Sequence, residues 1–388
     1  MLTRLIGFIL LLLSGCAQLP LRGTGDLGLV IERAAGRVAI VESSSNRILG
    51  RVDGLGDLSH ASVVFSRDGR YAYVFGRDGG LSKIDLLRQR IERRIMQAGN
   101  SIGGAISQDG RLIVAQNYEP GGIKAFDAET LELVADVPAT WGSAGQRSKV
   151  VGLADLPGQR FAYALFDAGE IRITDLSNPQ QPTTQIFAAG RQPYDGLVTP
   201  DGRYYLAGLF GEDGVALLDL WQTEQGSRKI LADYGRGSER LPVFKMPHLR
   251  GWAVAGRNAY LPAVGRHEVL VVDTATWQEV ARIPVKGQPV FVIARPDGRQ
   301  VWVNFAVPDN GWVQVIDTLS SRVATTLQPG KAVLHMEFTP RGEAVWLSAR
   351  DDNKVSVFDT RNLSRTATLD AEAPSGIFFT ARAARIGF

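Results

Sequence analysis

From about residue 61 the alternation of apolar and polar positions repeats one pattern seven times. Each unit reads as a short apolar strand, a glycine turn, an aromatic-rich strand, a loop, a strand ending in an acid, and a more polar strand. The turns are Asp68-Gly69-Arg70, Asp109-Gly110-Arg111, Gly158-Gln159-Arg160, Asp201-Gly202-Arg203, Gly256-Arg257, Asp297-Gly298-Arg299 and Arg341-Gly342-Glu343. Their glycines are separated by 41, 48, 44, 54, 42 and 44 residues. The strand-ending acids are Asp85, Asp127, Asp175, Asp219, Asp273, Asp317 and Asp359, spaced by 42, 48, 44, 54, 44 and 42. Two markers in one register, with a period of about 40–50 residues and four strands per unit, predict a β-propeller.

Seven complete units leave both ends of the pattern unassigned. Residues 28–33, 37–42 and 46–52 read as three strands, with Glu42 in the place of the recurrent Asp. Ser375 to Thr380 reads as an innermost strand with no successor. Three strands from the start and one from the end make an eighth blade that latches the ring and removes its exposed edges. The expectation is therefore an all-β, eight-bladed β-propeller over residues 25–388.

The segment ahead of it has its own pattern. Arg4 gives a positive start, Leu5 to Leu13 is apolar but too short to span a bilayer, and Leu13-Ser14-Gly15-Cys16 follows. This reads as a signal peptide over residues 1–15, with Cys16 as a bacterial lipidation site and residues 16–24 as a tether. Ala17 after the cysteine favours outer-membrane sorting, and hence a periplasmic lipoprotein. That compartment offers no NADH or ATP. The single Cys excludes an internal disulfide and a thiolate-rich metal site. A net charge of +3, from 43 basic and 40 acidic residues, gives no footprint for nucleic acid.

Register also locates a candidate site. In a propeller the first strand of each blade lines the axis, so residues entering it ring one mouth. His60 lies nine residues before its turn glycine, His248 eight, Tyr194 eight, Asp195 seven and His335 seven. Three of the four histidines thus fall into one layer on different blades, whereas His267 lies in a hairpin loop and reads as solvated. Gly23-Thr24-Gly25-Asp26-Leu27-Gly28 has the letters of a dinucleotide fingerprint, but it lacks the strand–turn–helix setting and reads as a flexible linker. No NAD and no free metal ion is expected. Asp351-Asp352 and Glu212-Asp213 read as solvated turns.

The segment from His60 to Asp85 resembles the haem d1-binding propeller of cytochrome cd1 nitrite reductase. So do Tyr118-Glu119-Pro120, Pro247-His248-Leu249-Arg250-Gly251 and Pro374-Ser375-Gly376-Ile377-Phe378. No C-x-x-C-H is present for a c-type haem domain, so the chain is more similar to stand-alone lipoprotein propellers of haem d1 biosynthesis. The resemblance implies haem d1, or a dihydro-haem d1-like precursor, as ligand. It makes His60 the axial iron ligand and His248 a distal-pocket residue, with Tyr194 where a second distal histidine would be, followed by a shared Asp195. Arg33 and Arg250 match cations that hold the macrocycle's carboxylates, and Tyr118, His335, Ser375 and Gly376 match pocket contacts. An arginine expected near Ser101 to Gly104 is absent.

On this reading His248 is the acid or base of a late side-chain-processing step, helped by Asp195 and Tyr194. Cytochrome cd1 nitrite reductase and other haem d1 maturation proteins are the expected transient partners. Two alternatives stand beside this one: a non-catalytic haem d1 carrier, and a generic YVTN-type interaction propeller.

Overall fold

The computed structural model describes residues 22–234, 251–263 and 265–385. They form eight four-stranded antiparallel sheets, the blades of a propeller, plus a two-stranded ribbon of Thr140–Trp141 with Gln146–Arg147. Blades one to seven have inner strands Ser62–Phe65, Asn100–Ile106, Val150–Leu156, Pro193–Val198, Ala253–Ala255, Pro289–Ala294 and Val333–Phe338. Neighbouring inner strands touch in order from blade one to four and from blade five to eight. The end of the axis where they begin is called upper here; the end where they run into the glycine turns is lower.

The repeated residues make local sense. All seven turn glycines have positive φ, from 61° at Gly256 to 76° at Gly110 and Gly158, where a side chain is disfavoured. Each strand-ending acid then caps the next turn. Asp85 Oδ1 accepts the N–H groups of Leu87 and Arg88 at 2.9 and 3.0 Å, and Asp127, Asp273 and Asp359 repeat the pair of bonds. In blades one, four and five the turn arginine reaches that acid: Arg70–Asp85 and Arg203–Asp219 at 2.9 Å, and Arg257–Asp273 at 2.7 Å. The two sequence markers keep one register because they hold each other.

The core lies between the blades. Middle strands are buried on both faces, as in Val345-Trp346-Leu347, while outer strands such as Arg322–Leu327 alternate with the strand period of two. The eighth blade is the expected latch. Pro374–Phe379 is its inner strand, pairing Gly28 with Phe379 and Val30 with Ile377, and Leu27–Glu32, Arg37–Glu42 and Arg47–Val52 complete it. Glu32 clasps the upper rim: fully buried, it binds Arg37 and Arg51 and accepts the Glu372 N–H at 2.9 Å.

The lower rim is clasped differently. Thr380 Oγ1 donates to the carbonyls of Thr24 and Leu27 at 2.6 and 3.0 Å, and Thr24 Oγ1 donates to Asp68 O at 2.7 Å. Thr24 is therefore pinned rather than part of a free linker, and the glycine motif there leads into a strand with no helix after it. A short 3₁₀ segment, Thr380–Ala384, continues from the latch at the lower end, between blades seven and one. Arg382 forms a two-bond pair with Glu337 at 2.6 and 2.8 Å, and Arg67 bonds to the carbonyls of Ala383 and Ser107.

Candidate functional site

Three kinds of segment meet at the upper end: the starts of inner strands, the loops between second and third strands, and the connections between blades. Tyr194 enters the inner strand of blade four, and Tyr118 ends the second strand of blade two, Leu112–Glu119. Their hydroxyls are 3.1 Å apart. Phe166 meets Tyr194 edge-on, with centroids 6.1 Å apart, and Phe210 lies 5.9 Å from Phe166. The Arg77 guanidinium lies 5.4 Å over the Tyr118 ring, and Lys149 Nζ 5.2 Å over Phe166. Blades one to four thus share a continuous arc of aromatic faces edged by cations.

The arc extends back to blade eight through Asp57. The Ser59 hydroxyl and N–H, then Arg77 and Arg33, hold the Asp57 carboxyl below its ordinary range. Arg33 and Arg77 occupy the same loop in adjacent blades, and neither forms an ion pair within 4 Å among the described residues. Two guanidinium forks that share one carboxylate, Asp57, and have none within ion-pair distance suit an acidic ligand. Burial pushes the Tyr118 and Tyr194 hydroxyls above their ordinary pKa, and Tyr118 beside it raises Tyr194 further. Both are neutral hydrogen-bonding groups at physiological pH, not bases.

Asp195 is re-aimed by a bulge in the pairing between Tyr194 and Leu197, and it adopts φ of 60°. Its Oδ1 accepts the Gly196 N–H at 2.9 Å. The neighbouring inner strand must carry glycine there: a Cβ on Gly152 would lie 2.4 Å from the Asp195 carbonyl group.

His60 and His335, the two described histidines of the expected layer, differ in depth. His60 is exposed, just ahead of the inner strand of blade one. His335 lies inside the strand of blade seven, two register positions farther in, a step of about 7 Å along the axis. Its Nδ1 accepts the Ile377 N–H at 3.1 Å, and its ring lies 5.4 Å from Phe378. Burial pushes its pKa down to about 4 against an opposing pull from Glu337. The neutral ring then carries its proton on Nε2, so His335 can donate a hydrogen bond but offers no free lone pair to iron or to a proton.

Ser375 and Gly376 stand beside His335, on the inner strand that supplies the Ile377 N–H. His267 is exposed in its hairpin. Asp352 accepts the Lys331 N–H at 2.7 Å, and Glu212 binds Lys229 and the Arg191 N–H. The described residues hold no cluster of three or more His, Cys, Asp or Glu able to bind a metal ion. A cavity lined by Ser62, Asp155, Phe378 and Arg382 lies lower on the axis, against the 3₁₀ segment, and none of Arg33, Tyr118 or Tyr194 lines it.

The arrangement therefore brings Arg33, Tyr118, Tyr194 and Asp195 into one region, with His60 at its edge and His335, Ser375 and Gly376 deeper across the axis. His248, Arg250 and Cys16 lie outside the described residues. Arg77 is the residue that reading the sequence missed. The signal was present in Gly76-Arg77-Asp78-Gly79, the loop after the aromatic strand, at the end that register assigns to the mouth. Ser101 donates its N–H to the Arg77 carbonyl at 3.3 Å, so this cation borders the stretch where an arginine was expected and not found.

Comparisons with known proteins agree with this fold. Residues 22–383 match the Cytochrome D1 heme domain family. Protein NirF of Stutzerimonas stutzeri is 61% identical over 378 residues, covering 97% of each chain. Protein NirF of Pseudomonas aeruginosa is 60% identical over 382 residues, covering 98% of this chain and 97% of that one. Among solved structures, dihydro-heme d1 dehydrogenase NirN in complex with DHE superposes with a TM-score of 0.83 at 25% identity, covering 95% of this chain and 78% of the other.

Proposed function

Because this chain belongs to the NirF family of cytochrome d1 heme-domain propellers, we propose that it binds a late haem d1 precursor at its upper mouth and processes its side chains. Involvement in haem d1 biosynthesis and a haem d1-like tetrapyrrole ligand follow from the family itself. The finer reading rests on one observation: the arc of Arg33, Arg77, Tyr118, Phe166 and Tyr194, in which flat aromatic faces lie beside two guanidiniums that share one carboxylate. A planar macrocycle with acidic side chains needs both. His60, exposed at the edge of the arc, is assigned as the axial iron ligand, and Ser375, Gly376 and the Nε2–H of His335 as deeper contacts. Bound there, the iron would supply the ligand's electronic chemistry; the protein orients it and holds protons at Tyr118, Tyr194 and His335. His248 is assigned the acid–base role, with Arg250 as a third cation.

The rest of the assignment follows the leader sequence: acylation at Cys16, export to the periplasm, retention at the outer membrane, and transfer of the product toward cytochrome cd1 nitrite reductase. A carrier without catalysis is favoured by a different observation. Tyr118, Tyr194 and His335 all keep their neutral forms near pH 7, which leaves proton transfer to His60 and His248.

Titration of the purified protein with haem d1 or dihydro-haem d1, followed in the Soret region, tests the reading. Saturable binding with a His60→Ala shift in the band is expected. No binding of either tetrapyrrole would overturn the proposal. His248→Ala separates the two versions, since a carrier variant still binds and delivers its ligand while an enzyme variant binds and accumulates it unchanged.

A further inference from the structure

We infer that the lower face of the propeller is the surface that lies against the membrane, with the mouth directed away from it. This rests on the reading of Cys16 as the acylated residue. The chain enters the fold at the lower rim: Thr24 is bonded to the Asp68 carbonyl of a lower turn and to Thr380, and Arg22 pairs with Glu42 at the lower end of its strand. Cys16 is six residues before Arg22, so a fully extended chain puts it within about 20 Å of that rim. A six-residue blade strand alone covers about 20 Å, and loops add height at both ends. So short a leash cannot reach around the blade to the upper rim and still leave the mouth against the lipid.

Two further observations favour the lower face as the lipid side. The 3₁₀ segment Thr380–Ala384 lies at the lower end, tied to blades seven and one, so contact with a bilayer there does not obstruct the upper mouth. The turns of that face also expose Trp221 at 66% and Leu319 at 74%, each just after a strand-ending acid. The Arg203 guanidinium lies 5.4 Å over the Trp221 ring. An exposed indole beside arginine is the composition of a headgroup contact. On the same face the side chains of Arg111 in blade two and Arg341 in blade seven are exposed at 80% and 88%. Among the described residues they pair only with the partly exposed Asp109 and Glu343 of their own turns, and so are able to reach lipid phosphates. The occupant is thus a phospholipid surface, and the mouth remains free for exchange with soluble proteins.

Blade six tests this within one unit, because it exposes Leu319 in a lower turn and Val307, 48% exposed, in an upper loop. Cys16 is the only native cysteine, so once acylated it leaves Leu319→Cys and Val307→Cys as unique thiols. Full-length protein carrying bimane at either position is reconstituted into phosphatidylethanolamine–phosphatidylglycerol vesicles containing a headgroup nitroxide lipid. Quenching at position 319 several-fold greater than at 307 is expected. Equal quenching, or stronger quenching at 307, overturns the orientation. Mass spectrometry of the Cys16 peptide and vesicle flotation test the anchor separately; an unacylated Cys16 removes the proposal together with the anchor, whatever the tetrapyrrole titration shows.

Discussion

The two ends of this propeller are built from the same strands but to different rules. At the lower end the turns repeat: a glycine at positive φ, an acid capping the next turn, and an arginine bound to it in several blades. The outer ladders shift register near that end too, but at one recurring place in six blades; at the upper end it is the innermost ladders that break. Inner strands of blades two, three, four, six, seven and eight all shift register near their start, whereas blade one and the described part of blade five pair regularly. Bulges re-aim side chains, and here they deliver Asp195 and His335 to the axis. Regular repetition supplies stability at one end, and its interruption at the other leaves groups able to meet a ligand.

The comparison is broken most strongly at His335, an upper-end group that gives up ionisation for burial. Its folded pKa of about 4 lies below the ordinary 6.5, so the unfolded chain takes up a proton first as pH falls. Stability from this group is complete above pH 6.5 and declines toward pH 4, by about 3 kcal/mol in all. Urea unfolding at pH 7 and pH 4.5 should show this loss in the wild type and much less in His335→Gln. An unchanged pH slope in the variant would mean that His335 is not held neutral.

Glu32 offers the next largest effect, at the upper clasp of the latch. Burial raises its pKa, but the Arg37 hydrogen bond, the Glu372 N–H and Arg51 together reverse the shift and keep it below 4.5. Its contribution is therefore present above pH 4.5 and lost as pH falls through the folded value. Glu32→Gln leaves two guanidiniums without their carboxylate and should cost about 2–3 kcal/mol near neutral pH, somewhat below the usual cost of breaking a buried pair because both arginines are partly exposed. Thermal unfolding with and without the substitution measures it. Thr380→Val at the lower clasp removes a hydroxyl serving two carbonyls and should cost less, about 1–2 kcal/mol.

The same contrast explains what could be read from the chain. The lower end was legible because its residues recur: seven glycines and seven acids carry one register, and their turn chemistry depends only on near neighbours. The latch strands were legible too, within one residue of their observed bounds, since an unpaired inner strand needs three partners. At the mouth, register located Tyr194 and Asp195 but could not resolve depth. Counting residues from a turn treats His60 and His335 alike, although one precedes its strand and the other lies within it behind a bulge. Arg77 escaped notice because it lies in a loop after the second strand, where no repeat marks it. Thr24 looked like linker because its anchoring partners, Asp68 and Thr380, are remote in sequence.

The finest test concerns the hydroxyl pair of Tyr118 and Tyr194, which joins blade two to blade four across the mouth. Both phenols are neutral, so their bond is an ordinary one and its coupling should be about 0.5–1 kcal/mol. A double-mutant cycle of Tyr118→Phe, Tyr194→Phe and the combined variant, read by urea unfolding, isolates that term. The same four proteins titrated with dihydro-haem d1 show whether the pair is structural or faces the ligand. If the hydroxyls only hold the blades together, the coupling in stability persists and affinity is equal across the set. If they also contact the macrocycle, as proposed, the same coupling is found in the ligand-free protein and each single variant in addition weakens binding severalfold.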